Sequence, residues 1–304
     1  MLKKMVLAII FMVVPAITYA ETLRFATLNC EFLNTKKVHI KYGEKFNFDG
    51  WDEATRTAKL EEASEAIAKE IQAINAHVIV LTEVGNESDV DILLQYLDYD
   101  HHAVCKSTDT KTGQHVAILS RFALSDVLKE IPGREFYDTE ADDVDGEKDT
   151  GLSKGMRVTF EFSGQTIYLY GVHLKSEGGY SEADGQRIAQ ASIVRRHYLP
   201  LLQTGENVIV AGDLNDKRGD PTLRRIRGRD DLWGDLIQTG VDKYWQQVGE
   251  RWTYQYKGDR NQIDHILPSY SLRKDINASV HKTTEMLEGY PVTDHRGLIA
   301  EFDL

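Results

Sequence analysis

Cysteine is nearly absent: the 304-residue chain has only Cys30 and Cys105, which excludes a disulfide-stapled scaffold. One bridge or two buried free thiols remain as alternatives, because sequence separation does not fix the Cα spacing a bridge requires. There is no paired-cysteine metal motif, no G-x-S-x-G and no Gly-rich phosphate loop, so thiolate metal centres, the serine nucleophile elbow and the P-loop carry no signal. No block of Lys or Arg offsets the net charge of -12. Broad electrostatic attraction to nucleic acid or anionic lipid is therefore not written into the composition. Internal repeats and Pro-rich or Ser-rich linkers are missing as well, which favours a single domain over residues 21–304.

The long apolar run occurs at the N-terminus. Lys3 and Lys4 precede an apolar stretch from Met5 to Ile17 that ends in small residues near Ala20, the pattern of a secretory leader over residues 1–20. A membrane anchor is the competing reading, but the run falls short of the roughly 20 residues a spanning helix needs. Export would make the mature chain secreted or periplasmic.

What is present alternates between two periods. Leu23 to Leu28, Val78 to Leu81, Val116 to Leu119, Met156 to Phe162, Thr166 to Val172, Asn207 to Ala211, Ile263 to Leu267 and Leu298 to Phe302 read as short strands. Arg56 to Asn75 carries Leu60, Ala63, Ile67, Ile71 and Ile74 at helical spacing, and Ser181 to Leu202 reads as a second amphipathic helix. The acidic stretch from Asp138 to Asp149 lacks EF-hand spacing ahead of Gly146 and reads as a solvated surface loop.

The chemistry lies at strand ends, where sites gather in α/β proteins. Apolar runs terminate in Asn29 (RFATLNCEF), Glu83 (VIVLTEV), His173 (IYLYGVHLKS) and Asp213 with Asn215 (VIVAGDLND); Asp264 (QIDHIL) and Asp294 with His295 (PVTDHRGL) complete the set. Each alone is explained by turn capping or a structural histidine. Together they form an oxygen-rich set suited to Mg²⁺, with Mn²⁺ or Ca²⁺ as alternatives, and unsuited to a thiolate metal.

These motifs, in this order, resemble the endonuclease/exonuclease/phosphatase superfamily across nearly the whole mature chain. LNCEF resembles its opening Asn motif, TEV stands where Q-E is usual, and GVHLKS resembles the catalytic-His strand. GDLND resembles G-D-x-N, WTYQYKGDRNQIDHIL the late Tyr and Asp strand, and TDH the terminal S-D-H. The resemblance implies an α/β/β/α four-layer sandwich, with two mixed β-sheets packed face to face and helices outside. It implies that Glu83 is the principal metal ligand, with Asn29 and Asp294 in or beside the coordination sphere. His295 is then the general base, oriented by Asp264; Asp213 and Asn215 surround the nucleophile and scissile phosphate, and His173 donates to a phosphate oxygen or assists the leaving group. Lys175 and Arg187 are possible phosphate contacts, with an exposed structural role as the alternative. Two positions depart from the pattern: Thr293 keeps the hydroxyl of the usual Ser, and Thr82 removes an amide. No acidic partner for His173 is legible.

Three substrates share such a site. A nuclease or related phosphodiesterase is the first reading, with nucleic acid as the partner. A phosphomonoesterase would want cations near GDLND; Lys217, Arg218, Arg224, Arg225, Arg227 and Arg229 lie there, or form a solvated helix and loop. A sphingomyelinase-like phospholipid phosphodiesterase would want an exposed apolar hairpin, and none is legible outside the leader. A binding protein that lost the chemistry is the reading of another class, opposed by the intact set of candidate groups.

Overall fold

The run Val78–Leu81 shows how the layers arise. Val78 and Val80 enter one hydrophobic core while Ile79 and Leu81 enter another, as the two-residue period of a strand covered on both faces requires. The computed structural model describes residues 21–43, 50–108, 111–138, 147–177, 181–217, 219–228, 236, 252–272 and 276–304. The expected leader, Arg218, Arg229 and the centre of the acidic stretch lie outside these.

Two mixed sheets carry the fold. The first has the order β14 (Ile276–His281), β17 (Gly297–Asp303), β1 (Thr22–Leu33), β2 (Val78–Val84), β4 (His115–Ser120) and β3 (His101–Val104). The second has the order β13 (Asp264–Pro268), β10 (Asn207–Asp213), β9 (Gln165–His173), β8 (Gly155–Phe162) and β5 (Ser125–Leu128). Within each, one parallel pair, β1 with β2 and β9 with β10, sits among antiparallel neighbours. The sheets meet through a core that includes Phe25, Val80, Val158, Leu169 and Ile209.

The outer faces are covered by helices. On the first sheet, α1 (Glu53–Ile74) buries Leu60, Ile67 and Ile71, and α2 (Glu87–Leu94) adds Val90 and Leu93. On the second, α3 (Ser181–Gln203) and α4 (Pro221–Arg227) bury Ile193, Tyr198, Leu223 and Ile226 against Val208 and Val210. This is the four-layer α/β/β/α sandwich expected. The α1 helix starts three residues before Arg56 because Asp52 accepts from Thr55 N at 2.8 Å, and Asn75 closes it in the left-handed conformation.

Among the described residues, three hairpins stand outside the sheets: β6 (Arg134–Asp138) with β7 (Glu147–Gly151), β11 (Tyr254–Tyr256) with β12 (Asp259–Asn261), and β15 (Met286–Leu287) with β16 (Tyr290–Pro291). The first corrects the reading of 138–149 as a loop: its two ends pair, Asp138 opposite Glu147 and Phe136 opposite Asp149. Backbone pairing and the Arg134–Asp149 ion pair accommodate the polar side chains on an exposed ribbon. The third corrects the absence of an exposed apolar hairpin, since Met286 and Tyr290 are both exposed. Both strands of that hairpin are too short to show an alternating pattern. Cys30 and Cys105 are free and buried, in the cores on opposite faces of the first sheet. Burial pushes their thiols up to about 12 and about 11.

Candidate active site

Strand register brings the site together. Asp213 ends β10 directly opposite His173 on β9 and Asp264 on β13, so three candidates stand in one row across the second sheet. On the first sheet Asn29 lies opposite Thr82, and the β1–β2 register breaks just beyond them. A matching irregularity in the β2–β4 ladder places Glu83 in a left-handed conformation at φ 59°. Such bulges re-aim side chains next to functional sites. Gly212 explains why GDLND begins with glycine: its φ is 136°, and a Cβ there would lie 2.0 Å from the Val172 carbonyl oxygen.

Asn29 joins the two sheets chemically. Its Nδ2 donates to Glu83 Oε1 at 3.2 Å and to Asp213 Oδ2 at 2.9 Å, while its Oδ1 accepts from Glu31 N at 2.9 Å. His173 Nε2 stands 3.9 Å from Glu83 Oε1 and 3.8 Å from Asp213 Oδ2. Its Nδ1 is buried without a hydrogen-bond partner among the described residues, so no orienting acid accompanies it there.

The opposite side is built from β13 and the turn before β17. His295 Nδ1 lies 2.7 Å from Asp264 Oδ2, both side chains buried, and Tyr254 stacks on the imidazole with ring centroids 4.7 Å apart. The Thr293 hydroxyl donates to the Asn29 carbonyl at 2.7 Å and accepts from His295 N at 3.1 Å. Threonine thus supplies the hydroxyl that ties this turn to β1. Asn215, left-handed at φ 50°, donates its backbone N–H to Asp213 Oδ1 and its side-chain amide to Leu174 O.

Burial of like charges dominates the electrostatics. Burial and the neighbouring Asp264 push the Asp213 carboxyl up to about 7; burial and Asp294 push Glu31 up to about 7. Burial likewise raises Glu83, although Lys154 opposes it. For His295, burial disfavours the imidazolium, but Asp264, Asp294 and Asp213 outweigh it and hold the pKa well above 6.5. His173 goes well below 6.5, through burial first and then Lys154 and His295. The two histidines are therefore shifted in opposite directions by their neighbours.

Glu83, Asp213, Asn215, Asp294 and His295 line one cleft of about 970 Å³. Asn29, His173 and Asp264 lie beneath, bonded to or facing those residues. Lys217 also lines the cleft. Lys175 is exposed, whereas Arg187 is buried rather than exposed: its guanidinium donates to the Lys175 carbonyl and pairs with Asp184. Arg224 and Arg225 are solvated residues of α4. Sequence reasoning missed Lys154, which is buried beside Glu83 and donates to Gln114 Oε1 at 3.2 Å. It also missed Glu31, whose Oε2 accepts from Asp294 N, and buried Lys41, whose charge bears on Glu31. Glu31 stood inside the LNCEF motif; Lys154 follows no apolar run and had no signal of that kind.

The residues present fit a hard divalent cation. Glu83, His173 and Asp213 each offer a ligand atom, all within 4.8 Å of one another, and Asp213, Asp264 and His295 do the same. Four carboxylates, Glu31, Glu83, Asp213 and Asp294, influence one another's charge in a partly buried space, an arrangement that a cation stabilises.

Similarity to known proteins agrees with this geometry. The structure resembles truncated Caenorhabditis elegans TDP2, with TM-score 0.58 and 16% identity over 93% of this chain and 98% of that one. It resembles Staphylococcus aureus beta toxin, with TM-score 0.60 and 16% identity over 91% and 99%. A mutant of that toxin with bound magnesium ions gives TM-score 0.59 and 14% identity over 92% and 99%. A Bacteroides vulgatus endonuclease/exonuclease/phosphatase gives TM-score 0.59 and 15% identity over 93% and 99%. No curated protein matches the sequence. The model of the Endonuclease/Exonuclease/phosphatase family matches residues 26–295, and the chain belongs to that family of metal-dependent phosphoester hydrolases.

Proposed function

We propose that the protein is an exported Mg²⁺-dependent phosphodiesterase that cleaves nucleic acid. The observation that carries this reading is the double donation from Asn29 Nδ2 to Glu83 and Asp213, which draws carboxylates of both sheets to one point facing the buried His295–Asp264 pair. Glu83 and Asp294, with Asn29 beside them, would hold the cation. When bound, it neutralises charge on the phosphate and orients the scissile group.

The chain's own groups do the rest. His295 accepts the proton of the attacking water at Nε2, because Nδ1 is committed to Asp264, which stabilises the imidazolium as it forms. Asp213 and Asn215 hold the water and the phosphate, their geometry fixed by the Asn215 N–H bond to Asp213. Neutral His173 can offer an N–H to a phosphate oxygen, while Lys154 brings a buried positive charge to the same side of the cleft.

A second reading, hydrolysis of a phospholipid headgroup, has one observation in its favour: the exposed β15–β16 hairpin presents Met286 and Tyr290 a few residues before Asp294. Hydrolysis of bis-p-nitrophenyl phosphate with Mg²⁺, and its loss in EDTA, tests the reaction. Plasmid DNA, RNA, sphingomyelin vesicles and inositol phosphates, incubated side by side, then separate the substrates; turnover of the vesicles alone would overturn the nuclease reading. Export is supported by Lys3, Lys4 and the apolar run to Ile17. N-terminal sequencing of the mature protein tests it, with cleavage expected near Ala20.

A further inference from the structure

One wall of the cleft is aromatic and serves neither the core nor the proton transfer. Tyr254 and Tyr256 are two residues apart on β11, so their side chains leave the same face of the strand. Their rings are nearly parallel, 8° apart in tilt, with centroids 6.5 Å apart. Tyr254 also stacks on His295, at 30° and 4.7 Å between centroids. The three rings form a column running from the proposed base to solvent, and all three line the cleft. Its outer member is 57% exposed, which leaves a large apolar ring in water on a short hairpin.

Cations lie against aromatic rings in this segment of an otherwise acidic chain. Lys257, at the turn of the hairpin, has its Nζ 5.1 Å from the centre of the Tyr256 ring. Arg260 and Arg296 lie over the Trp252 ring at 5.2 Å and 3.5 Å. An exposed ring with a positive charge beside it suits a strand with planar bases and an anionic backbone. A quaternary ammonium headgroup is disfavoured by the same feature, because Lys257 already brings positive charge to the exposed ring.

Resting on the phosphodiesterase reading above, we infer that Tyr254 and Tyr256 form a nucleobase subsite beside the scissile phosphate. A base that stacks there has to be unpaired or displaced from its helix, so the preferred substrate is single-stranded or locally opened nucleic acid. Stacking is tolerant of base identity, and the subsite sets the position of cleavage without reading a sequence.

The test is binding of a short single-stranded oligodeoxynucleotide containing 2-aminopurine, read by stopped-flow fluorescence quenching before turnover. A control strand carries abasic spacers around the fluorophore-free cleavage position, and steady-state cleavage of both strands follows. Tyr256→Ala should weaken binding of the base-bearing strand roughly fivefold or more and raise its KM, with an unchanged melting temperature. Tyr256→Phe should behave as wild type, and the abasic strand should be bound equally by all three proteins. Equal loss on both strands, or no loss on either, overturns the subsite. Quenching without cleavage by the wild type would sink the nuclease reading and leave the subsite standing; cleavage indifferent to Tyr256→Ala would do the reverse.

Discussion

Nδ1 of His295 lies 2.7 Å from Oδ2 of Asp264, and both side chains are buried. This pairing fixes the tautomer that leaves Nε2 facing the cleft, and with Asp294 and Asp213 it overcomes the effect of burial to hold the imidazole pKa well above 6.5. A general base works only when neutral. Accordingly kcat/KM rises as the pH climbs through a value above 6.5. Asp264→Asn removes a source of that upward shift, so the acid limb of the profile moves to lower pH while the maximum falls. A profile whose acid limb stays in place in Asp264→Asn would show that another group is titrating.

His295→Ala and Asp213→Ala remove proton transfer and positioning without removing core volume. Loss of a positioned base lowers the rate by about 10²–10⁴-fold. Both variants should keep the circular dichroism spectrum of the wild type. Retention of more than about a tenth of wild-type kcat/KM in both would locate the chemistry elsewhere.

Glu83 separates metal affinity from chemistry. Its carboxyl is raised chiefly by burial, so keeping it ionised at neutral pH destabilises the metal-free fold. In EDTA, Glu83→Gln should therefore melt no lower than the wild type. With Mg²⁺ the wild type gains stability in proportion to occupancy, and Glu83→Gln needs a higher Mg²⁺ concentration for half activity. Calorimetric scans and rate measurements across a Mg²⁺ series give the two readings; an unchanged Mg²⁺ midpoint of activity in the variant contradicts the assignment.

Glu70 is a structural acid that does not line the cleft. Buried on α1, it accepts from the backbone N–H groups of Thr284 and Glu285, both at 2.6 Å, and from His281 Nε2 at 2.5 Å. Burial works against its ionisation, but these bonds outweigh it and hold its pKa below 4.5. A depressed carboxylate contributes stability above its unfolded pKa and loses it as the pH falls through the folded value. Glu70→Gln should thus lower the melting temperature at neutral pH, with the gap to wild type closing below pH 4.5. A gap that persists unchanged into acid would mean the effect is one of shape, not charge.

Much of this was legible in sequence because strands with both faces buried leave continuous apolar runs, and VIVL, IYLYGV and VIVAG are each followed within two positions by a residue of the site. The two long helices, α1 and α3, were readable from the same burial, with α1 displaced only by its Asp52 cap, whereas the short α2 was not. What escaped depends on long-range geometry. Lys154 brings its charge to Glu83 and His173 through the register of β8 against β9, where His173 N donates to the Lys154 carbonyl at 2.9 Å. The role of Asn29 depended on which of its atoms faced which carboxylate, and its amide nitrogen turned toward both. The β6–β7 and β15–β16 hairpins are exposed and short, so neither hydrophobic period marks them.

The account stands on a cation held by Glu83 between the ends of the two sheets. Anomalous diffraction from crystals soaked in Mn²⁺ tests it most directly. The expected result is a single strong peak within bonding distance of a Glu83 carboxylate oxygen, flanked by Asn29 and Asp294, that vanishes in Glu83→Ala. A Mn²⁺ peak away from Glu83, or one that survives Glu83→Ala in place, would contradict it.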